Sequence, residues 1–488
     1  MASLAPVLLS FPPDSYASKP PSSAQYDYDI RHHIKQLDSI TASTFQKNVD
    51  TIELLNPAVN SAAYLYFLRA LLPRAFTTSK TKQLPDDLWN KVVSFCSAFD
   101  PVQIRYLGHD WRKLIEELEQ VARYASTTLP IDLMGATLLR MDPSGATYTS
   151  NHLRFLKLCL ESDTPDSALP LLERHIINFP TNPTRLSEVQ LPSAEHFASS
   201  AYITYKSGIT EVPEVEKIQE YWMLGALIYI SAERWKEALI YLEQILVTPT
   251  LNSATGLMLE AYRKWVLVAL LVAGKPLSLP KGIHQESLRK IKAASKAYDN
   301  LAEVYKGGDG AQLQAEIDAA AAVWREDGNL GLVRRVFGHF TDSIVVNFSK
   351  THTALPITDV AAHLNATLEA TQTYLATLVS SGKVNAIVEQ PDPSSSNQVA
   401  ILRFHSDRSS GPLASSEEEV HAELLARKQR ILELADQVKD TDRRLSVCKE
   451  WLEFAKKIRD RKEGGDGLAT EMDWMGGGDD EDMMGDLR

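Results

Sequence analysis

The sequence predicts a mainly α protein: a TPR-like α-solenoid, then a winged-helix module, then a long C-terminal helix. Three observations carry this. Residues 221–246 (YWMLGALIYISAERWKEALIYLEQIL) read as a helical hairpin whose second half is echoed 70 residues earlier. Between residues 356 and 404 the order becomes helix, helix, strand, loop, strand. From Leu424 onward, apolar residues recur every seven positions.

The hairpin is clearest. Residues 221–230 are almost wholly apolar, yet far shorter than the roughly 20 residues that span a membrane. After Ser231-Ala232-Glu233-Arg234, residues Trp235, Ala238, Leu239, Leu242 and Ile245 recur at helical spacing, with Lys236, Glu237 and Glu243 between them. Gly225, Ala226 and Ala238 are small enough to let two helix backbones approach closely. Pro249 stops the second helix. The run DSALPLLE (166–173) echoes KEALIYLE (236–243). That offset is about two units of a helical repeat near 34 residues.

Residues 1–28 are rich in Pro, Ser and Tyr and are expected to lack fixed structure. From residue 29 to 328, helical patterns follow one another with short breaks. Examples are 62–72 (AAYLYFLRALL), 111–124 (WRKLIEELEQVARY), 152–160 (HLRFLKLCL), 257–273 (LMLEAYRKWVLVALLVA) and 297–304 (AYDNLAEV). Helices in series stack on their neighbours and leave long faces for partners.

The winged-helix part is expected over 329–406. After one more helical pattern, Thr358-Asp359 cap a short helix and Thr367 opens a second, closed by Gly382. Strands follow at 383–388 and 399–404, joined by the loop PDPSSSNQ (391–398). The second helix, where a DNA-binding winged helix carries its recognition residues, has no Lys or Arg between 367 and 381 and includes Glu369. Phosphate contacts come chiefly from basic side chains, so the module is expected to bind protein through strand edges. Its candidate interface residues are Val384, Ile387, Val388, Ile401, Leu402 and Phe404.

A linker at 407–415 leads to a helix over 416–461. Ser415-Ser416-Glu417-Glu418 offers a capping box. Leu424, Ile431, Val438, Leu445 and Leu452 form one strong seam; the companion seam, which includes Leu434, is mixed. That pattern fits a helix joining a bundle better than a two-stranded zipper. The tail, 462–488, is expected to be disordered. Residues 463–488 hold nine acidic residues and one basic, a net −8 of the chain's −12. Trp474 and Met483-Met484 could form a short docking motif, but an inert tail is expected.

The body is therefore near neutral and not basic enough for broad nucleic-acid binding. Three scattered cysteines give neither a disulfide framework nor a zinc pattern and fit a reducing compartment. The start, MASLAPVLLSFPPDSY, lacks the basic leader of a signal peptide. A cytoplasmic and nuclear protein is expected. No H-E-x-x-H, G-x-S-x-G or G-x-x-x-x-G-K-[ST] occurs. His32-His33 lacks metallopeptidase spacing and reads as exposed. Lys306-Gly307-Gly308-Asp309-Gly310 reads as an interhelical loop. No catalytic residue, cofactor or metal ligand is expected.

A helical array running into a winged helix poor in basic residues is the layout of PCI-domain proteins, the scaffold subunits of the proteasome lid, the COP-nine signalosome and a translation initiation factor. The runs YWMLGALIYISAERWKEALIYLEQILVTPT, LEAYRKWVLVALLVAGKPLSLPKGI, AYDNLAEVYKGGD, DGNLGLVRRVF and LVSSGKVNAIV resemble the signalosome's subunit-three family, most densely over 145–405. The resemblance implies a non-catalytic scaffold whose winged helix aligns edge to edge with neighbours, subunits one and eight. It also implies that the C-terminal helix enters a common bundle. A lid or initiation-factor scaffold is the nearest alternative. An RNA adaptor would need a basic face from Arg334, Arg335, Lys350 and Lys383.

Overall fold

The computed structural model describes residues 4–78, 84–125, 127–180, 191–194, 196, 198–248, 254–364, 366–389, 400–405, 410–447, 453 and 456. The chain divides into two compact units, Met1–Ile344 and Val345–Arg488.

The first unit is a succession of helices around one continuous apolar core. The helix Gly108–Tyr124 shows why these segments coil: Trp111, Leu114, Ile115, Leu118 and Ala122 are buried at intervals of one turn, with charged residues between them. Caps set the ends. The Thr255 side chain accepts the Met258 N–H (3.2 Å) at the start of Gly256–Ala273, and Gly274 closes that helix with φ +63°. The Lys306–Gly310 loop is two caps in tandem. Gly308 ends one helix at φ +79°, and Asp309 accepts the Ala311 N–H (2.9 Å) to open the next.

The echo in the sequence is structural. Helix Ser150–Glu161 and the segment Pro165–Leu172 form one pair; Val215–Ser231 and Trp235–Val247 form another. The burial pattern of residues 151–172 recurs position by position over 221–242. In the earlier pair the second helix is split into a 3-10 turn, Pro165–Ala168, and a short α-helix that ends at Leu172, with Pro170 unable to donate across the break, whereas the later one runs unbroken to Val247. In the later pair, a Cβ on Gly225 would lie 2.5 Å from the Tyr241 ring, so only glycine permits this approach.

Three expectations need correction. Residues 4–28 are not without structure: helices Leu4–Leu8 and Ser15–Ser18 precede Ser23–Asp38, and Leu8 and Phe11 are buried. Phe11 packs edge-on to Tyr26 (5.3 Å) and stacks on His33 (5.6 Å), so aromatic contacts order a Pro- and Ser-rich segment. His33 is accordingly buried, within 3.0 Å of Ser10 Oγ, while His32 is exposed. The first unit also extends past 328. Val333, Val336 and Phe340 of the helix Leu330–Thr351 lie in its core, and Val345 lies in the second.

The second unit has a three-stranded antiparallel sheet in the order β1-β3-β2, formed by β1 (Ala354–Pro356), β2 (Ala386–Glu389) and β3 (Ile401–Phe404). Helices Ile357–Leu364 and Leu368–Ser380 contribute to the same core through Ile357, Val360, Leu375 and Leu378. Thr367 caps the second helix. At its end the N–H groups of Gly382 and Lys383 return to Val379 and Leu378 (3.1 Å each). Strand β1 has no sequence signal beyond three residues ending in proline. The expected wing loop over 391–398, with the start of the second expected strand, lies outside the described residues. So do part of the linker and the tail at 462–488.

The C-terminal helix, Glu417–Val447, opens on a reciprocal capping box: Glu419 N–H donates to Ser416 Oγ (3.2 Å) and Ser416 N–H to Glu419 Oε2 (3.0 Å).

Candidate protein-interaction surfaces

The strand residues expected at an interface divide by face and by position in the sheet. Register pairs Ala386 with Phe404 and Val388 with Leu402 on the core side, and Ile387 with Arg403 on the open side. Val384, Leu402 and Phe404 are buried in the unit's own core. Ile387 is 41 % exposed; Val388 and Ile401 are half-buried. β3 is the central strand, hydrogen-bonded on both sides. The expectation that 399–404 offers an edge is therefore wrong. The edges are β2 and the unforeseen β1, because the chain returns β3 between them. On the open face Arg403 grips Glu389 with two hydrogen bonds (2.7 and 3.1 Å), which hold the Glu389 carboxyl below its usual range.

The second surface is the C-terminal helix. Leu424 (59 %), Ile431 (65 %), Leu434 (44 %) and Val438 (60 %) are exposed. Leu425 and Leu432, outside the seven-residue seam, are exposed as well. A step of about 100° per residue places all six on one half of the helix. Their heptad spacing to one another was a readable signal for Leu425 and Leu432. Leu445 lies in the helix, but its side chain is outside the described residues, as is Leu452 altogether. Ion pairs Arg427–Glu423 and Arg430–Glu433 keep other charges engaged along the helix.

The chemistry of these surfaces is that of packing. Among the described residues no group of three His, Cys, Asp or Glu side chains could hold a metal ion. Cys96 and Cys159 are buried thiols, each pushed up to about 12 by burial. Of the four cations that an RNA-binding face would use, Arg335 pairs with Glu233 and Lys350 donates to Asn347 (3.1 Å). No helix among the described residues is long and apolar enough to cross a membrane.

Comparison with known proteins gives consistent results. A family profile described as COP9 signalosome complex subunit 3, N-terminal helical repeats, matches residues 27–285. A COP9 signalosome complex subunit 3 of Emericella nidulans is 30 % identical, with 97 % of this chain and 98 % of the relative covered. Its counterpart in Neurospora crassa is 26 % identical over 92 % of this chain and 91 % of the relative.

Proposed function

The chain belongs to the COP9 signalosome subunit 3 family, and we propose that it is a non-catalytic scaffold of that complex. In this reading it assembles with other PCI subunits to support removal of a ubiquitin-like modifier from cullin-RING ubiquitin ligases, and the peptidase chemistry belongs to another subunit. The observation that carries it is the exposed apolar half of the 31-residue helix Glu417–Val447. A soluble protein keeps so long an apolar surface in water chiefly where a partner covers it. The seam Leu424, Ile431, Leu434 and Val438, continued by Leu445 and Leu452, would enter a bundle with helices of several subunits.

Edge strands β1 and β2 allow one neighbour on each side, which fits edge-to-edge pairing with subunits one and eight. Ile387 of β2 is the exposed apolar side chain beside that edge, while Val388 packs toward the core. A cytoplasmic and nuclear location follows from the complex. The alternative of a proteasome-lid or initiation-factor scaffold loses ground because both relatives are named as signalosome subunits. The test is affinity purification of the tagged full-length chain with mass spectrometry, beside a version ending at Ser415. Signalosome subunits should accompany the first and fade with the second. Lid or ribosomal proteins in their place would overturn the assignment.

A further inference from the structure

The stretch 275–296 reverses the charge of the chain around it. It holds Lys275, Lys281, Arg289, Lys290, Lys292 and Lys296 against one carboxylate, Glu286, in a protein of net charge −12. All six cations are exposed. The helix Gln285–Ala293 presents three of them while Ser287 and Ile291 anchor its inner side, and Lys296 opens the next helix. Lys290 reaches Glu286 at 3.4 Å. Among the described residues Lys281, Arg289, Lys292 and Lys296 have no carboxylate within ion-pair distance.

Lys292 also lines a cleft of about 400 Å³. Trp265, Leu277, Leu279, Asp299 and Glu303 line it too. The Trp265 indole N–H is already given to Glu243 (3.1 Å), so that side chain offers the cleft no donor. Asp299 accepts the Tyr262 hydroxyl (2.7 Å). The volume falls in the range of small-ligand and side-chain pockets, roughly 300–1,000 Å³.

We propose that this basic face and its cleft dock an acidic peptide segment of a partner protein, one aliphatic or aromatic side chain of which enters the cleft. The exposed cations attract a run of carboxylates at long range and set its direction along the helix. Leu277 and Leu279, both half-buried, supply the apolar seat. A nucleic acid fits less well. Tyr262 and Trp265, at 2 % and 3 % exposure, leave no ring face on which a base can stack. The site uses none of the residues invoked for assembly.

The test is fluorescence anisotropy on the full chain with three labelled probes: the peptides EEEWEEE and EEEEEEE, and a short oligothymidylate. EEEWEEE should bind more tightly than EEEEEEE, and salt should weaken both. The triple reversal Arg289→Glu, Lys292→Glu and Lys296→Glu should cost about tenfold or more in affinity with circular dichroism unchanged. Lys281→Glu, a single change outside both helices, should give a smaller loss and serves if the triple variant misfolds. Leu277→Ser should erase only the preference for the tryptophan peptide. Oligothymidylate binding as tightly as EEEWEEE, equal affinity for the two peptides, or full binding by the charge-reversed variants would overturn the proposal.

Discussion

Asp163 and Glu233 occupy the same place in two successive helical pairs, each with a left-handed backbone, φ +53° and +58°. The hydrogen bonds around them match. Thr164 N–H returns to Cys159 O and Arg234 N–H to Tyr229 O, both 2.8 Å. Neither residue is glycine, and the left-handed region costs an ordinary L-residue roughly 1 kcal/mol. Asp163→Gly should relieve that strain while adding freedom to the unfolded chain, leaving stability within about 0.5 kcal/mol of the parent. Asp163→Val, β-branched at a positive φ, should cost more than about 1 kcal/mol. Chemical denaturation of the two variants checks the pair; equal stabilities would refute the strain.

The approach of Gly225 to Tyr241 joins the helices Val215–Ser231 and Trp235–Val247. Tyr241 cannot swing aside easily, because it is buried and its hydroxyl donates to Leu172 O (3.2 Å). Gly225→Ala should therefore destabilise by about 1–3 kcal/mol through overpacking, despite alanine's better helix propensity. Pairing it with Tyr241→Leu should give less than the sum of the two single effects. Additive losses in thermal or urea unfolding would mean that the contact is not what limits packing.

That hairpin was legible because its two signals, helical spacing and small residues, are local. Residues 219–230 are buried or half-buried throughout, and an apolar run shows that directly. What was not legible depends on contacts distant in sequence. Nothing in Pro12-Pro13 or its serine neighbours announces that Phe11 inserts beside His33. The edge assignment failed for a related reason: β3 looks like an outer strand in chain order, but it pairs with β1 through Leu355 opposite Leu402. A three-residue strand has too little pattern to be seen alone.

Lys264 is buried beneath a chain of hydrogen bonds. Its Nζ donates to Asn329 Oδ1 (2.8 Å), Asn329 Nδ2 donates to the Tyr298 oxygen (2.8 Å), and the Tyr298 hydroxyl donates to Asp327 Oδ2 (2.8 Å). The chain ties Gly256–Ala273 and Lys296–Gly307 to the turn before Leu330–Thr351. Lys264→Met keeps the bulk of the stem but strands a buried amide oxygen, which should cost about 1–3 kcal/mol. Tyr298→Phe should be costly alone and cost less in the Lys264→Met background, since both break one network. Urea titrations of the four-protein cycle measure the coupling; strict additivity would sink the idea.

Stability should depend on pH through groups of opposite sign. Burial lowers His33 and His152 from 6.5 to about 4, and burial raises Glu117 from 4.5 to about 7. As pH falls below 6.5 the unfolded histidines take up protons that the folded ones refuse. Their contribution is thus whole above 6.5 and is lost on the way down to 4, at most about 3 kcal/mol each. Glu117 runs the other way. The fold prefers its protonated form, so stability is lost as pH rises from 4.5 to 7. The two partly cancel where they overlap. Glu117→Gln should therefore steepen the fall in melting temperature on acidification from 6.5 to 4.5; an unchanged slope would show that Glu117 is solvated.

The C-terminal helix separates folding from assembly. Ile431 and Val438 are exposed and one heptad apart, so Ile431→Glu with Val438→Glu removes apolar surface that the isolated chain leaves in water. Surface changes of this kind usually stay within about 0.5 kcal/mol, and the melting temperature should not move. Burying two carboxylates in a helical bundle is costly, so co-purification of signalosome subunits should fail. Leu242→Asp is the opposite case, because Leu242 is fully buried; that variant should unfold the helical array and lose partners only as a consequence. If the double variant also loses its folded state, the helix packs on its own chain in solution. The apolar half would then be an intramolecular surface, and the bundle would have to form elsewhere.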